Sequence, residues 1–175
     1  MTLISVDIPV LETERLILRE PRLTDLDALV AFTGSDRMRF IGGKLDVEHT
    51  WRNLLMSIGH WTVRGYGYWT IEDRETGRIV GRTGVHNHEG EWPEPELGWQ
   101  VFDGFEGKGY AAEAARAARH HAQTVMGLGP LISMIAVGNE RSVRLAERLG
   151  ATLERGDFQY NGIACLIYRH PKEVI

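Results

Sequence analysis

The sequence predicts a single α/β domain of the layered α+β kind, with a mixed, mostly antiparallel sheet of about six to seven strands and about four flanking helices. Three observations lead to this prediction. Strand-like segments follow one another between residues 66 and 102 with only turns and loops between them. The segment 109 to 126 carries alanines at 111, 115, 118 and 122, a helical spacing that would let one face pack closely on a sheet. The turn Asn161-Gly162 near the end of the chain is typical of a β-hairpin.

The first part of the chain is predicted to hold a strand and two helices. The strand spans 14 to 20, and the helix after it begins at Thr24, taken as an N-cap, with Asp27 completing a capping box. A polar, glycine-containing loop at 34 to 44 leads into a helix at 46 to 62. One face of that helix is predicted to carry its apolar residues, which are Val47, Trp51, Leu54, Leu55 and Ile58.

The second part of the chain begins with a predicted β-hairpin, whose strands span 66 to 72 and 79 to 85. After a loop at 87 to 95, a strand at 96 to 102 alternates in character, which predicts one polar face. The remaining elements are predicted to be a helix at 109 to 126, a strand at 131 to 137, a helix at 140 to 149, and hairpin strands at 152 to 160 and 163 to 168. One domain spanning residues 1 to 175 follows from this order and from the length.

A glycine-rich turn, Glu106-Gly-Lys-Gly-Tyr-Ala-Ala-Glu113, lies between a predicted strand and the start of a predicted helix. Glycines let the backbone approach a ligand closely, and the N–H groups of a first helical turn have no partner within the helix. These donors and the positive end of the helix dipole favour a phosphate or pyrophosphate. The sequence therefore predicts a phosphorylated cofactor at this turn.

Two other phosphate-binding patterns are candidates for the same turn. A P-loop requires glycine where Phe102 stands and serine or threonine where Gly109 stands, so that pattern is excluded. Gly107-x-Gly109-x-x-Ala112 fits the degenerate fingerprint of dinucleotide-binding proteins. The alternating strand before it and the consecutive strands upstream argue against a parallel, doubly covered sheet. An NAD-dependent oxidoreductase stays a remote alternative.

A second strand and helix follow the turn and complete a recognisable pair. Asn139 is a good N-cap for the helix at 140 to 149, and Gly150 is placed to end it. A strand, a glycine turn and a helix, followed by a strand, an asparagine and a helix, resemble the GNAT superfamily of N-acetyltransferases. The family's Gln/Arg-x-x-Gly-x-Gly/Ala motif reads Glu106-x-x-Gly109-x-Ala111 here, which departs from the pattern at its first position.

The resemblance is greatest to the branch of ribosomal-protein N-terminal (alanine) acetyltransferases. The forms Gly-Lys-Gly-Tyr-Ala-x-Glu-Ala and Asn-x-x-Ser-x-x-Leu-x-x-x-Leu-Gly, together with the opening segment 11 to 19, carry it over nearly the whole chain. The resemblance implies a GNAT-like fold, acetyl-CoA as co-substrate, and a primary amine as acceptor. Coenzyme A brings an activated acyl group, so neither a metal nor a covalent enzyme intermediate is required.

The resemblance also implies which residues hold the cofactor. Backbone N–H groups of the turn would bind the pyrophosphate, with Lys108 as a charge nearby, and Val101 would offer backbone groups to the pantetheine arm. A free strand N–H at Val101 could also polarise the acetyl carbonyl. The expected cofactor-binding residues are Val101, Gly107, Lys108, Gly109, Tyr110, Ala111, Asn139 and Ser142.

The expected catalytic residues are Glu96, His86, Asn139 and Ser142. Glu96 begins the strand that leads into the turn, where the family often places a carboxylate, and partial desolvation could raise its pKa for base chemistry. His86 and His88 share a strand face and are alternative bases, with Glu94 as a weaker one. Many GNAT enzymes carry a tyrosine seven residues after the asparagine, where this chain has Ala146. The resemblance to the branch implies that Ser142, three residues after Asn139, takes this role and could hydrogen-bond the leaving sulfur.

The acceptor is left open between a small amine and a protein N-terminus. Its pocket is expected from the 34 to 62 region and the 87 to 95 loop, with Asp36, Arg37, Trp51, Trp61, Trp69 and Trp92 as candidate lining residues. Acidic side chains could attract a cationic amine there; they are Glu89, Glu91, Glu94 and Glu96. A non-catalytic acyl-CoA sensor that kept the turn and lost the base is the alternative function.

Composition is consistent with a soluble cytoplasmic enzyme. The net charge is −4 and the pI about 6.0, so no nucleic-acid partner is expected. The single cysteine, Cys165, suits a reducing compartment and is expected to be a small buried hydrophobe. We expect no signal peptide and no membrane-spanning segment. We also expect no metal site, because no H-E-x-x-H motif or pair of cysteines occurs. A homodimer is expected only by analogy with the branch.

Overall fold

The structure is a computed structural model, which describes residues 6–90 and 92–173. It contains an eight-stranded sheet with the strand order β1-β2-β3-β4-β5-β6-β8-β7. The strands are β1 (Leu11–Glu12), β2 (Leu16–Arg19), β3 (Tyr68–Asp73), β4 (Ile79–His86), β5 (Glu96–Val101), β6 (Ile132–Ala136), β7 (Thr152–Tyr160) and β8 (Ile163–Arg169). Every neighbouring pair is antiparallel except β5 and β6. The predicted α/β class is confirmed, and the additional strand is the two-residue β1.

Four helices accompany the sheet, as predicted. They are α1 (Leu26–Thr33), α2 (Val47–Arg64), α3 (Tyr110–Thr124) and α4 (Glu140–Arg148). Asp46 caps α2 by accepting a hydrogen bond from the His49 amide, and Asn139 caps α4. Ala115, Ala118 and Ala122 are fully buried on α3, which packs against β4 and β5. Small side chains let this helix approach the sheet closely, and the direction of its N-terminus is fixed as a result.

The predicted start of α1 is wrong. Thr24 lies inside a short 3-10 helix, Leu23–Asp25, and neither it nor Asp27 forms a capping box. Asp25 is the residue with the important role, because its buried carboxylate accepts hydrogen bonds from Arg19 and Thr70. The Arg19–Asp25 pair joins residues six positions apart, whereas the hydrogen bond from Thr70 comes from β3 and leaves no local signal in the sequence.

Two further expectations about the α1–α2 region need correction. The segment predicted as a loop at 34 to 44 contains a second 3-10 helix, Asp36–Phe40, capped by Ser35. The buried residues of α2 are Thr50, Leu54 and Trp61, whereas Val47, Trp51 and Leu55 of the predicted apolar face are exposed. The buried face of α2 differs from the predicted apolar face because it includes Thr50, whose hydroxyl forms a hydrogen bond with that of Thr33.

Strand β5 is buried on both faces, so the predicted solvent-exposed polar face is wrong. Glu96 and Gln100 are only 7% and 8% exposed, because α2 and the second 3-10 helix contribute to the cavity above them. The topology of the sheet is the feature that speaks against a dinucleotide-binding fold. A single parallel pair, β5–β6, occurs among the described strands, and a doubly wound fold requires repeated parallel units.

Candidate active site

The glycine turn before α3 presents a row of free backbone donors. Gly107 and Gly109 have φ angles of 73° and 83°, a left-handed conformation that glycine adopts without strain. No partner for the N–H groups of residues 107 to 112 occurs among the described residues, and Gly107, Lys108 and Gly109 are exposed. Six consecutive donors at the positive end of a 15-residue helix are suited to a polyanion.

Contacts from two distant turns hold this glycine turn in place. The Arg15 guanidinium donates to the carbonyl of Lys108 at 2.9 Å and forms an ion pair with Glu113 at 2.6 Å. The Tyr110 hydroxyl donates to Asp73 at 2.6 Å. Because the Lys108 carbonyl is bound by Arg15, the amides of the turn are left free for a ligand. Arg15 and Asp73 lie far from the turn in sequence, so sequence analysis did not identify them.

A cavity of about 790 Å³ lies beside the free amides. Three arginines of α4 line it at a spacing that places them on one helix face: Arg141, Arg144 and Arg148. No carboxylate among the described residues forms an ion pair with these three side chains. Glu106, the residue that departs from the GNAT motif, pairs with Arg37 and accepts a hydrogen bond from the Gly104 amide. Its charge is therefore balanced within the protein, and the cavity keeps a positive character.

Strands β5 and β6 separate next to this cavity. Their ladder has a single pair, Glu96 with Ile132, and the strands diverge beyond it. The Leu97 carbonyl points into the gap, where it accepts from Ser133 at 2.6 Å. Backbone direction alternates along a strand, so Trp99 and Val101 also direct their backbone groups into the gap. These groups are available to an extended, amide-containing arm.

A second cavity, of about 640 Å³, lies over the face of β5 that carries Glu96, Gly98 and Gln100. The two cavities share a set of lining residues, which are Phe40, Ile41, Trp99, Gln100, Asn139 and Ser142. The second cavity brings together all four side chains expected to be catalytic: Glu96, His86, Asn139 and Ser142. A ligand bound along the free amides could therefore extend into the space where these groups meet.

Glu96 and His86 form a buried titratable pair at the base of the second cavity. The carboxylate oxygen Oε1 accepts from the Met134 amide at 3.1 Å, and Oε2 lies 3.6 Å from His86 Nε2. Burial raises the pKa of Glu96 to about 8, although the Met134 hydrogen bond opposes the shift. Burial, reinforced by the neighbouring His88, lowers the pKa of His86 to about 3. Both groups are consequently favoured in their neutral forms near pH 7.

Each residue of this pair has one buried polar atom that could still form a hydrogen bond. Glu96 Oε2 and His86 Nδ1 are buried and have no hydrogen-bond partner among the described residues. A buried polar group without a partner is costly, so such groups in a cavity commonly await a ligand or water. Glu96 is therefore positioned to accept a proton from a group that enters the cavity.

Aromatic and imidazole rings build one wall of the second cavity. Trp92 lies 4.9 Å from His86, 4.8 Å from His88 and 4.8 Å from Tyr160, measured between ring centroids. The Tyr68 ring lies 5.1 Å from His86 and occupies the space that the missing side chain of Gly98 leaves open. His88 also faces His60, and burial lowers the pKa of His88. The predicted alternation of His86 and His88 thus places both rings on the same wall.

Asn139 and Ser142 stand where the two cavities meet. The Asn139 side chain accepts from the Ser142 amide at 3.4 Å, which caps α4 weakly. The Ser142 hydroxyl accepts from the Trp99 indole at 3.4 Å. Its own proton has no acceptor among the described residues, so this hydroxyl can donate to a bound group.

The other residues singled out from the sequence lie in varied places. Val101, Gly107, Gly109, Tyr110 and Ala111 line the larger cavity with Asn139 and Ser142. Lys108 does not line it; its ammonium lies 5.3 Å from the Phe105 ring centroid. Trp61 and Trp69 are core residues, and Trp51 is exposed. Asp36 forms an exposed ion pair with Lys44.

The acidic side chains expected near the acceptor do not form a cluster. Glu94 accepts hydrogen bonds from Arg169 at both carboxylate oxygens, and Glu89 pairs with Arg64 in an exposed position. Glu91 lies outside the described residues. Glu96 is the acidic side chain of this group that lines the second cavity.

Several lining residues were missed from the sequence, chiefly Arg82, Tyr68, His60 and Tyr160. Arg82 carried a usable signal, because it lies four residues before His86 on one strand and so shares its face. The other three come from separate elements and could not be placed without the fold. Within residues 6–90 and 92–173, no group of three or more His, Cys, Asp or Glu side chains could hold a metal ion. No described helix is long and apolar enough to cross a bilayer.

Comparisons with known proteins agree on one family. A family model described as an acetyltransferase (GNAT) domain matches residues 15–152. YkkB of Bacillus subtilis strain 168 is 32% identical over 150 residues, which cover 80% of this chain and 83% of YkkB. An acetyltransferase of Agrobacterium tumefaciens strain C58 is 37% identical, with a TM-score of 0.87 over 98% of this chain and 99% of its own.

A more distant structure adds a likeness of fold. RimL, a ribosomal L7/L12 alpha-N-protein acetyltransferase solved in complex with coenzyme A, is 18% identical to this chain. It has a TM-score of 0.75 and covers 93% of this chain and 96% of its own.

Proposed function

Because the chain belongs to the GNAT acetyltransferase family, we propose that it moves an acetyl group from acetyl-CoA directly to a primary amine within a ternary complex. Membership in the family confirms the resemblance and the GNAT-like fold expected from the sequence. The acceptor in this proposal is a small amine or a protein N-terminus. The proposal concerns the co-substrate, the order of the chemistry and the acceptor, and it assigns a role to each group in the two cavities.

One observation carries the proposal: the free amides of residues 107 to 112 lie beside a cavity that joins the cavity containing Glu96. The amides and the α4 arginines suit the phosphates of coenzyme A, and the gap between β5 and β6 suits its pantetheine arm. The coenzyme A complex of RimL, which has a similar fold, supports this assignment.

In the proposed reaction, acetyl-CoA supplies the activated acyl group and the protein supplies proton transfer and positioning. Glu96 removes the proton from the acceptor amine, which attacks the acyl carbon. A backbone N–H in the β5–β6 gap, at Trp99 or Val101, donates to the carbonyl oxygen as negative charge develops there. As the tetrahedral intermediate collapses, the C–S bond breaks and the nitrogen loses its second proton, which the departing sulfur takes up. The Ser142 hydroxyl donates a hydrogen bond to that sulfur, and Asn139 orients the Ser142 region.

Direct transfer is preferred over a cysteine-bound acyl intermediate. Cys165 lines the second cavity, but burial, reinforced by the nearby Glu96, raises the pKa of its thiol. A thiol is a much weaker nucleophile than a thiolate, so Cys165 is poorly suited to attack a thioester.

Three broader expectations remain proposals that rest on the resemblance and on composition. We propose a single acetyltransferase domain over residues 1–175, a cytoplasmic location and a homodimer. Light scattering in solution would test the last of these.

We predict that acetyl-CoA at about 100 times its Kd raises the Tm by about 5–10 °C, since ligand binding of that strength adds about 2.7 kcal/mol. A thiol-release assay with an amine panel should then show coenzyme A production that depends on the amine. Stabilisation by NAD alone would contradict the proposal. Stabilisation by acetyl-CoA with no turnover on any amine would instead indicate the acyl-CoA sensor.

We predict that Ser142→Ala lowers kcat by about 10-fold while changing the KM for acetyl-CoA by less than about 3-fold. The reason is that the hydroxyl assists the leaving sulfur, a contact that matters most as the thioester breaks. Ser142→Thr is the matched control, because it keeps the hydroxyl and should retain most of the activity. An alanine variant with wild-type kcat would show that Ser142 only supports the start of α4.

A further inference from the structure

Arg82 is an arginine in the second cavity without an acidic partner. It lies on β4, where its Nε donates to the Gln100 side chain at 2.5 Å, and its guanidinium is 5.5 Å from the Tyr68 ring centroid. Its two terminal nitrogens have no hydrogen-bond or ion-pair partner among the described residues. Other inward-pointing arginines differ: Arg19 pairs with Asp25 and Glu72, and Arg169 pairs with Glu94 and Glu154.

The Arg82 side chain is partly buried, and its terminal nitrogens are open to the cavity. Desolvation lowers the pKa of Arg82, although the group stays charged because an arginine does not lose its proton in proteins. Burying a charge without a counter-ion is unfavourable unless a ligand supplies one. The planar fork of donors on arginine matches the two oxygens of a carboxylate.

The anion that Arg82 awaits is better sought in the acceptor than in the cofactor. Arg82 lines the second cavity and does not line the larger cavity beside the free amides, where phosphates are expected. Its neighbours on the cavity floor are Tyr68, Gln100, His86 and, further along, Glu96. The cavity thus contains one fixed positive group and one carboxyl that can become negative, on the same face of the sheet.

Strand register gives the spacing of the two groups. Arg82 pairs with Gln100, and His86 pairs with Glu96, so the groups are four residues apart along the strands. That separation is about 13 Å between backbones, and Gly84 and Gly98, which lack side chains, lie between the two groups on the paired strands. This spacing suggests a small molecule with an amine at one end and an anion at the other.

We propose that Arg82 binds the carboxylate of the acceptor, so that the acceptor is a small zwitterionic amino acid. This inference rests on the proposed acetyl transfer and names the class of its acceptor. The ammonium group lies beside Glu96, which is placed to take its proton, and the carboxylate beside Arg82, which gains a counter-ion on binding. A protein N-terminus lacks this anion, because the carboxyl group of its first residue is tied up in a peptide bond.

The test is a thiol-release assay on matched acceptors at a fixed, saturating concentration of acetyl-CoA. Each of the twenty amino acids and a series of ω-amino acids is compared with its amide, its descarboxy amine and a short peptide that begins with it. Aminoalkyl phosphates form a further arm. The variants are Arg82→Gln and Arg82→Lys, and Arg116→Gln, on the exposed face of α3, is the matched control.

We expect at least one amino acid to exceed its amide and amine by about 30-fold or more in kcat/KM. In Arg82→Gln this preference falls to within about 3-fold through a higher KM for the acid, with the KM for acetyl-CoA unchanged. Arg82→Lys retains part of the preference, and Arg116→Gln retains all of it.

Several results would overturn the inference. Amides, plain amines or peptides used as well as the acids by the wild-type enzyme would do so even if Arg82→Gln failed to fold. A preference for aminoalkyl phosphates would replace the carboxylate with a phosphate. An acid preference that survives in Arg82→Gln would move the anion site elsewhere. Failure of acetyl-CoA to stabilise the wild type, with no turnover of any acceptor, would overturn the proposed function itself.

Discussion

Glu96→Gln is expected to lower kcat for amine acetylation by about 100- to 1,000-fold, the range that general-base catalysis commonly contributes. Glutamine keeps the size of the side chain and can still accept the hydrogen bond that the Met134 amide makes to Oε1. It cannot accept a proton from an ammonium group. Glu89→Gln is the matched control, because Glu89 is exposed on the neighbouring loop, and it should retain wild-type kcat to within about 2-fold.

The same substitution should remove a pH dependence. The pKa of about 8 means that Glu96 becomes an effective base only as the pH rises toward and above 8. Wild-type kcat/KM should therefore rise through that region, whereas the glutamine variant should show only the titration of the acceptor. An unchanged kcat in Glu96→Gln would contradict the assignment. His86 would not replace it easily as a base, since burial holds the pKa of His86 near 3 and makes its imidazole a weak proton acceptor.

As the pH rises, the stability of the wild-type protein should fall while its activity rises. Burial raises the pKa of Glu96 in the folded protein from its usual value of 4.5 to about 8, so the folded protein holds a proton that the unfolded chain releases within that window. The stabilisation linked to this proton is fully present below pH 4.5 and is lost as the pH rises through 8. The Tm of Glu96→Gln relative to wild type should therefore increase between pH 5 and pH 9. A constant difference would show that Glu96 is ionised throughout.

Local signals explain what the sequence could predict. The glycine turn, the Asn139 cap and the Asn161-Gly162 turn each specify a backbone conformation within a few residues, and all three lie where they were expected. The position of Glu96 at the start of β5 followed in the same way. Its burial did not, because the 3-10 helix Asp36–Phe40 and α2 cover that face from distant parts of the chain.

Long-range contacts explain what the sequence could not predict. The Arg15–Glu113 pair that holds the glycine turn joins residues 98 positions apart. The aromatic wall combines Trp92 from a loop with Tyr160 from the end of β7, and nothing near either residue indicates the other. Arg82 is a charged residue in a buried strand. That it has no acidic partner among the described residues is visible only once its neighbours are placed. Active-site environments are built from such contacts, so residue types are easier to predict than their charge states.

Gly107→Asp is expected to raise the Kd for acetyl-CoA by about 100-fold. The new carboxylate and the pyrophosphate would be like charges a few ångströms apart, and near a protein surface such charges repel by up to several kcal/mol. Gly107 has a φ of 73°, which aspartate and asparagine tolerate better than most residues, and a side chain there would meet no atom within 4 Å. The new carboxylate would lie among the free amides, where it would compete with and repel the pyrophosphate.

Gly107→Asn is the control that separates charge from shape, because asparagine matches aspartate in size but is neutral. It should weaken acetyl-CoA binding by no more than about 5-fold, measured by calorimetry or by the ligand-induced rise in Tm. The aspartate effect should shrink as salt is raised, since the loop is exposed and screening acts there. The kcat of Gly107→Asp at saturating acetyl-CoA should remain within about 3-fold of wild type, because the turn binds the cofactor and does not touch the reacting atoms. Equal losses in the two variants would mean that the size of the new side chain, rather than its charge beside the amides, weakens binding.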